Sequence, residues 1–233
     1  GSPGDPNPMP TMRPMLSSPF VRRLRALACV TLLVAPGFTQ AQSAVSTVVA
    51  FSSSDPNGGI VVGGDGGYYG TTSSSSTITG GLIYRVSSDG TQMKTIYQLS
   101  NTEAYAPLAG LLVGSDGVLY GTTSLGAVGI EASTAGTVFS IKTDGKDFRI
   151  LHKFATVTAA NVNQNAINLD GAYPETALIE GSDGFLYGVT RAGGPNGTGA
   201  VFKVARDGTS FKVLHTFGAV TSDANAASPI NID

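Results

Sequence analysis

Four short runs of apolar and β-branched residues follow one another in the middle of the chain, at 108–114, 118–124, 136–143 and 148–154. Residues typical of turns separate them, and runs of this length and composition predict β-strands. In "TVFSI" (137–141) apolar side chains occur on both alternating faces of the strand. This pattern predicts a sheet that packs against protein on both sides.

The same four-run pattern occurs three times along the chain. The motif "GSDGVLYGTT" (114–123) returns as "GSDGFLYGVT" (181–190) and, more loosely, as "GGDGGYYGTT" (63–72). A second motif with its own Asp-Gly pair follows each copy. Asp-Gly predicts a tight hairpin turn because glycine readily adopts positive φ. Each unit is therefore predicted to be a four-stranded antiparallel meander.

The repeat period predicts an all-β, β-propeller-like array with about three blades. The units end near residues 51, 99, 154 and 217, and four strands in this length are typical of one propeller blade. Three blades are fewer than the four to eight of a closed propeller, so we expect an incomplete ring. The segment "STVVAF" (46–51) matches the last strand of a unit, and we expect it to supply an outermost strand that closes the ring.

The end of the sequence repeats an internal segment. Residues 154–170 align without gaps to residues 217–233, and in the first copy a new unit then begins. We therefore expect the repeat domain to be truncated, with missing C-terminal repeats that complete the fold. If the protein does end there, the three units form an open arc or close by pairing with another chain.

The N-terminal residues have the pattern of a secretory signal. Residues 1–11 precede Met12 and read as an upstream extension or an expression scar, disordered in either case. Residues 12–43 place arginines before the apolar run Leu27–Val34, with small residues for cleavage near Ala41–Ala44. The mature domain, 44–233, is then secreted, periplasmic or at the cell surface, with no membrane span and no cysteine.

Composition narrows the class of partner. Hydrophobic residues make up 41% of the chain, charged residues 13%, and the formal net charge is −2. This favours a folded domain, and the lack of a basic patch beyond the N-terminus argues against nucleic acid. The six Asp-Gly turns each carry too few carboxylates for a calcium loop. We expect no metal and no cofactor.

The units resemble the GloVer tandem repeat, a family of exported bacterial repeat proteins. The resemblance rests on the pattern "GSDG-LYGTT--GG---GTVF-I--DG--F--LH-F" and covers about Ser46 to the end. The third unit fits best, whereas the first has Tyr68 at the position of Leu119 and Leu186 and lacks the histidine near its end. The resemblance implies an exported propeller-like array, often with a surface anchor, and implies no established activity.

The long loop at 155–175 carries the candidate ligand-binding residues, which are Asn161, Asn163, Asn165, Asp170 and Glu175. Long loops on rigid β scaffolds often carry function, so this loop is a candidate binding face for a glycan or a surface protein. The alternative is a spacer between blades.

Repeated aromatic and histidine positions have a structural interpretation beside a functional one. His152 and His215 are expected to pack in the last strand of their units rather than to bind a metal. Tyr69, Tyr120 and Tyr187 are expected to be core residues with hydroxyls bound to backbone groups; the alternative is a sugar-binding surface. Other residues expected in the core are Leu119, Phe139, Leu151, Leu186, Phe202 and Leu214.

Three functional hypotheses follow. The first is an exported binding or scaffold module whose ligand the sequence does not specify. The second is a carbohydrate-active enzyme with its site on the propeller face, using Glu175 or Asp170. The third is a purely architectural spacer. The sequence lacks G-x-S-x-G, H-E-x-x-H and a cysteine nucleophile in the mature part, so catalytic residues stay unassigned and the balance leans away from an enzyme.

Overall fold

A computed structural model gives the fold. The chain divides into two units, Gly1–Val45 and Ser46–Asp233, and all described residues belong to the second. The structure describes residues 55–73, 79–100, 102–126, 135–158, 167–218, 220–221 and 230–231. The predicted signal segment, the predicted strand at 46–51, Asn161, Asn163 and Asn165 lie outside these residues.

The described residues form an all-β, propeller-like array of three antiparallel sheets, as the repeat predicts. The first sheet contains β1 (Asp55–Pro56), β2 (Val61–Val62), β3 (Tyr68–Ser73), β4 (Thr79–Val86) and β5 (Met93–Ser100). The second contains β7 (Leu112–Val113), β8 (Leu119–Thr123), β10 (Thr137–Ile141) and β11 (Arg149–Lys153). The third contains β12 (Ile179–Glu180), β13 (Phe185–Thr190), β14 (Ala200–Ala205) and β15 (Phe211–Thr216).

Each sheet is a meander of an inner, two middle and an outer strand. The extra strand β1 pairs with β3, beyond the residues that β2 pairs with. The same irregularity occurs in the pairing of the outer strand of all three sheets, for example between Val138 and Phe139 in the second. Among the described residues, no helix has the length and hydropathy that crossing a bilayer requires.

Two short two-stranded sheets accompany the three larger ones. Strand β6 (Ala104–Tyr105) pairs with β9 (Leu125–Gly126), and β16 (Val220–Thr221) pairs with β17 (Ile230–Asn231). Thr221 pairs with Ile230, and Thr158 forms the corresponding bridge with Ile167. The aligned segments 154–170 and 217–233 thus share a backbone pairing at equivalent described residues.

All six Asp-Gly turns form as predicted. Their glycines have φ between 73° and 85° and are Gly66, Gly90, Gly117, Gly145, Gly184 and Gly208. In the turn at 114–118, Gly117 N donates to Gly114 O at 2.9 Å and Gly114 N donates to Val118 O at 2.9 Å. The aspartate also accepts from the backbone, since Val118 N lies 3.1 Å from Asp116 Oδ1. The turn thus closes its own hydrogen bonds and needs a left-handed residue at one position.

We expect Gly117→Val to destabilise the fold by about 1–2 kcal/mol, because an L-residue is disfavoured at φ of 75°. A Cβ at Gly117 would meet no atom within 4 Å, so the cost is conformational rather than steric. Gly64→Val is the matched control, since Gly64 also has open space and has no positive φ. Urea unfolding measures both; equal stability of the two variants would contradict the turn assignment.

The cores lie between successive sheets. We call the side of a sheet that packs on the following sheet its front face, and the opposite side its back face. The core between the first and second sheets contains Tyr69, Ile83, Leu99, Leu111, Leu119, Phe139 and Ile141. The core between the second and third contains Tyr120, Val138, Leu151, Phe154, Leu178, Leu186, Phe202 and Val204. Corresponding residues of successive units therefore fill corresponding positions.

Of the nine residues expected in the core, seven are buried, Tyr69 and Tyr120 among them, whereas Tyr187 is only half-buried and Leu214 is exposed. Leu119, Phe139, Leu186 and Phe202 are fully buried, and Leu151 is also buried. Leu214 is 44% exposed, although it occupies the position of Leu151 in its own sheet. The reason is that Leu151 lies under the third sheet, whereas no further sheet among the described residues covers Leu214.

Candidate functional site

The two ends of the sheets have different chemistry. In an antiparallel meander, the turns after the first and third strands lie at one end, which we call the turn end. The remaining connections lie at the other end, which we call the loop end. The Asp-Gly turns occupy the turn end, and the long loop at 155–175 belongs to the loop end.

At the turn end, an aspartate and a tyrosine four residues later form the same contact in every sheet. The hydroxyl-to-carboxylate distances are 2.9 Å for Tyr69–Asp65, 2.8 Å for Tyr120–Asp116 and 2.8 Å for Tyr187–Asp183. The expectation that these hydroxyls bind backbone groups is therefore wrong. Burial, and then the hydrogen bond to Asp116, raise the pKa of Tyr120. The hydrogen bond from Tyr187 lowers the pKa of Asp183.

Each of these aspartates also faces a cation. Arg85 Nη2 lies 2.7 Å from Asp65 Oδ2 in the first sheet, and Lys203 Nζ lies 3.4 Å from Asp183 Oδ2 in the third. Ser140 stands at the corresponding position of the second sheet.

There the cation comes from the neighbouring sheet, since Arg206 Nη1 lies 3.5 Å from Asp116 Oδ2. Arg206 Nη1 also lies 3.0 Å from Glu180 Oε1. Glu180 accepts from Ser115 N at 2.7 Å and from Ser115 Oγ at 2.8 Å, and these bonds, with Arg206, lower its pKa. This network joins the second sheet to the third.

Two polar clefts open at the turn end between successive sheets. The cleft between the first and second sheets has a volume of about 340 Å³, and Asp65, Lys94 and Asp144 are among its lining residues. The cleft between the second and third measures about 320 Å³ and has Asp116, Arg149 and Asp207 at corresponding positions. Their carboxylates and cations mostly neutralise one another, so neither cleft has a strong net charge.

At the loop end, Asp170 belongs to a contact that holds two sheets together. Asp170 Oδ2 lies 3.0 Å from His152 Nε2, and both Asp170 oxygens accept from Ala155 N at 3.1 Å. The His152 ring stacks on Phe211 of the third sheet with centroids 3.5 Å apart. His152 thus packs in the last strand of its unit, as the sequence predicts.

The first and second sheets meet through an equivalent contact. Tyr97 occupies the position of His152, stacks on Phe148 with centroids 4.4 Å apart, and donates to Glu103 at 3.4 Å. Glu103 occupies the position of Asp170 in the connecting segment. Both contacts consist of a ring on the outer strand, an acidic residue that binds it, and a phenylalanine of the next sheet. Asp170 therefore contributes to the packing of one sheet on the next.

Asn168 fixes the course of the long loop. Its side-chain nitrogen donates to Ala155 O at 2.9 Å and to Gly171 O at 2.6 Å. Its oxygen accepts from Gly171 N at 2.9 Å and from Gly194 N at 3.0 Å. With four partners and little exposure, Asn168 has a structural role.

Glu175 lies in a cluster that three segments of the chain bring together. Arg191 Nε donates to Glu175 Oε1 at 3.0 Å, and Ser124 Oγ donates to the same oxygen at 3.4 Å. The Arg191 guanidinium lies over the Tyr173 ring, 5.3 Å from its centroid. The Arg191 side chain is 62% exposed. We call Ser124, Tyr173, Glu175 and Arg191 the loop-end cluster.

The preceding connection shows that the fold does not require this chemistry. Arg191 N donates to Tyr173 O at 3.1 Å, and Ser124 N donates to Ala106 O at 2.9 Å. Ser124 is therefore the counterpart of Arg191 in the preceding connection, and Ala106 is the counterpart of Tyr173. Tyr173 and Ala106 share a positive φ, 58° and 55°. The same backbone therefore forms with alanine, and Leu108 and Ser124 stand there in place of Glu175 and Arg191. The aromatic ring and the ion pair are additions specific to the later connection.

Of the sequence-predicted site residues, the structure describes Asp170 and Glu175, and it places them in different contacts. The sequence analysis missed Tyr173 and Arg191, although aligning the two connections residue by residue would have singled out both. Among the described residues, no group of three or more His, Cys, Asp or Glu side chains is arranged to hold a metal ion.

The fold defines a class of all-β repeat proteins with propeller-like sheets. The chain belongs to the Gloeobacter/Verrucomicrobia repeat family, which matches residues 37–231, and the resemblance inferred from the motifs is confirmed. No curated protein matches the chain.

Several solved structures are similar at low identity. A chain of the nidogen/laminin complex matches at 18% identity and TM-score 0.46, over 76% of this chain and 56% of that one. The E242A mutant of the α-L-arabinofuranosidase arb93a from Fusarium graminearum matches at 15% identity and TM-score 0.46, over 74% and 50%. The chain thus spans about half the length of these solved chains.

Proposed function

We propose that this protein is an exported binding module that recognises a glycan through the loop-end cluster. The observation that carries the proposal is the contrast between the two connections. One satisfies the fold with Ala106, Leu108 and Ser124, and the other adds Tyr173, Glu175 and Arg191 at the same positions. Because the preceding connection packs without these groups, we infer that they bind a ligand.

The chemistry of the cluster suits a sugar. A carboxylate accepts hydrogen bonds from hydroxyl groups, and a guanidinium donates several in a fixed geometry. The exposed Arg191 and the Glu175 carboxylate offer both on neighbouring atoms, so adjacent sugar hydroxyls can bond to each. Tyr173 adds an apolar ring at the same place. The signal-like N-terminus supports action outside the cytoplasm, where such glycans are found.

The test is binding to a printed polysaccharide array, followed by calorimetry with the strongest-binding polysaccharide. We expect Arg191→Gln and Glu175→Gln each to weaken binding by at least about tenfold, because each removes a charged hydrogen-bonding group. Arg149→Gln is the matched control, since it changes an arginine at the opposite end of the sheets.

Three outcomes would contradict the proposal. The first is a folded protein that binds nothing on the array, which would favour the spacer hypothesis. The second is binding that Arg149→Gln weakens as much as Arg191→Gln does. The third is hydrolysis of a bound polysaccharide that Glu175→Gln abolishes, which would favour the carbohydrate-active enzyme.

A further inference from the structure

The first sheet carries a polar pair at the positions where the third sheet carries Glu175 and Arg191. Asn57 occupies the position of Glu175, because each directly follows the proline of its connection. Ser73 occupies the position of Arg191, because each directly follows the last threonine of the repeated motif. Asn57 Nδ2 donates to Ser73 Oγ, just as Arg191 Nε donates to Glu175 Oε1. Asn57 is exposed and Ser73 is half-buried, so a ligand can reach this pair as well.

The second sheet places an apolar residue between the two polar pairs. Leu108 follows the proline of its connection and is half-buried. Ser124, beyond the end of a middle strand of this sheet, donates to Glu175 of the following unit at 3.4 Å. The groups along the loop end are therefore a polar pair, then Leu108, then a second polar pair. We call Asn57, Ser73, Leu108 and the loop-end cluster together the loop-end row.

A repeated hydrogen bond keeps these positions side by side. Thr71 Oγ1 donates to Ala109 O at 3.1 Å, and Thr122 Oγ1 donates to Thr176 O at 3.3 Å. Each acceptor lies two residues after the proline of its connection, so every such connection is tied to the preceding sheet beside its position in the row. Packed sheets lie about 10 Å apart, so the two steps from the first sheet to the third amount to at most about 20 Å.

We propose that the loop-end row binds one chain of a linear, uncharged polysaccharide across all three described sheets. The proposal rests on the loop-end cluster being a glycan site, and it extends that site along the array. A sugar chain presents hydroxyl groups at its edges and C–H groups on its ring faces, so it is matched by hydrogen-bonding groups on either side of an apolar side chain. The row offers the Asn57 amide, then Leu108, then the Glu175 carboxylate with the Arg191 guanidinium.

The charges of the row favour an uncharged sugar over an acidic one. Arg191 is the cation of the row, and Glu175 already binds it at 3.0 Å. Asp55 is exposed and lies two residues before Asn57, so its carboxylate repels a uronate or a sulfate group. The Asn57 amide and the Ser73 hydroxyl carry no charge and can exchange hydrogen bonds with sugar hydroxyls.

The test uses a ladder of oligosaccharides made by partial hydrolysis of the polysaccharide that binds best on the array, with affinities measured by calorimetry. We expect affinity to rise over several sugar units before it levels off, because only longer chains reach from the third sheet to the first. Asn57→Ala and Ser73→Ala should each weaken binding of the longest oligosaccharide by about three- to tenfold. Both should leave the shortest oligosaccharide that binds unaffected, whereas Arg191→Gln should weaken binding at every length.

Gln92→Ala is the matched control for Asn57→Ala. Gln92 is an exposed amide of the same sheet, and it lies at the turn end rather than at the loop end. Because Asn57 is exposed as well, both variants should keep the unfolding transition of the wild type.

Two results would overturn this proposal and leave the glycan site itself standing. The first is binding that Arg191→Gln weakens but that neither gains from chain length nor responds to Asn57→Ala more than to Gln92→Ala. The second is an acidic polysaccharide, such as polygalacturonate, as the strongest binder through Arg191. Binding to nothing on the array, or binding that Arg191→Gln leaves unchanged, would instead overturn the glycan site and this extension with it.

Discussion

Replacing Phe202 with alanine is expected to lower the free energy of unfolding by about 3–5 kcal/mol. Phe202 is fully buried between the second and third sheets. Its ring packs edge-on against Phe154 with centroids 5.2 Å apart, and it stacks on Phe211 at 5.6 Å. Truncation to alanine removes the ring's contacts with Phe154 and Phe211. It leaves a cavity that the strands on either side cannot move to fill.

Urea unfolding followed by circular dichroism measures this loss, with Leu169→Ala as the control. Leu169 is 84% exposed, so its truncation should change stability by no more than about 0.5 kcal/mol. A loss below about 1 kcal/mol for Phe202→Ala would contradict the strand register of the third sheet. The register pairs Phe202 with Gly188 on one side and with Val213 on the other.

Local features of the fold were predictable because each is encoded by neighbouring residues. The Asp-Gly turns depend on a few consecutive residues, and all six form. The contact between Asp116 and Tyr120 was equally accessible, because the four-residue spacing is repeated at Asp65 and Asp183. The contact was not predicted because a tyrosine hydroxyl can donate to a backbone carbonyl as well as to a carboxylate, and the sequence alone does not show which acceptor it uses.

Features that depend on contacts between two units were harder to predict from the sequence. Leu151 and Leu214 have the same local sequence pattern, yet one is buried and the other 44% exposed, because burial depends on the following sheet. Glu175 and Arg191 are 16 residues apart, and only the paths of two connections bring them within 3.0 Å. Aligning the two connections would have shown that Glu175 and Arg191 have no charged counterparts in the preceding connection. It would not have shown that the two side chains contact each other.

The glycine of the "LYG" motif has a physical role that only the neighbouring strand reveals. A Cβ on Gly188 would lie 2.5 Å from Cζ of Phe202 and 2.8 Å from Cδ2 of Leu178. The equivalent Gly121 has the same relation to Phe139 and Leu111. The motif therefore needs glycine because a ring from the adjacent strand lies over the backbone, rather than because of an unusual φ.

Gly188→Ala is accordingly expected to destabilise the fold by about 1–3 kcal/mol through overpacking. The same change should cost much less in a Phe202→Leu background, because leucine lacks the far end of the ring that the new methyl would meet. We expect a coupling free energy of about 0.5–3 kcal/mol in a double-mutant cycle measured by urea unfolding. Gly64→Ala, with no atom near its Cβ, is the control that should show no coupling to Phe202. Additive effects of Gly188→Ala and Phe202→Leu would contradict this account, because they would mean that the glycine serves the backbone and not the ring above it.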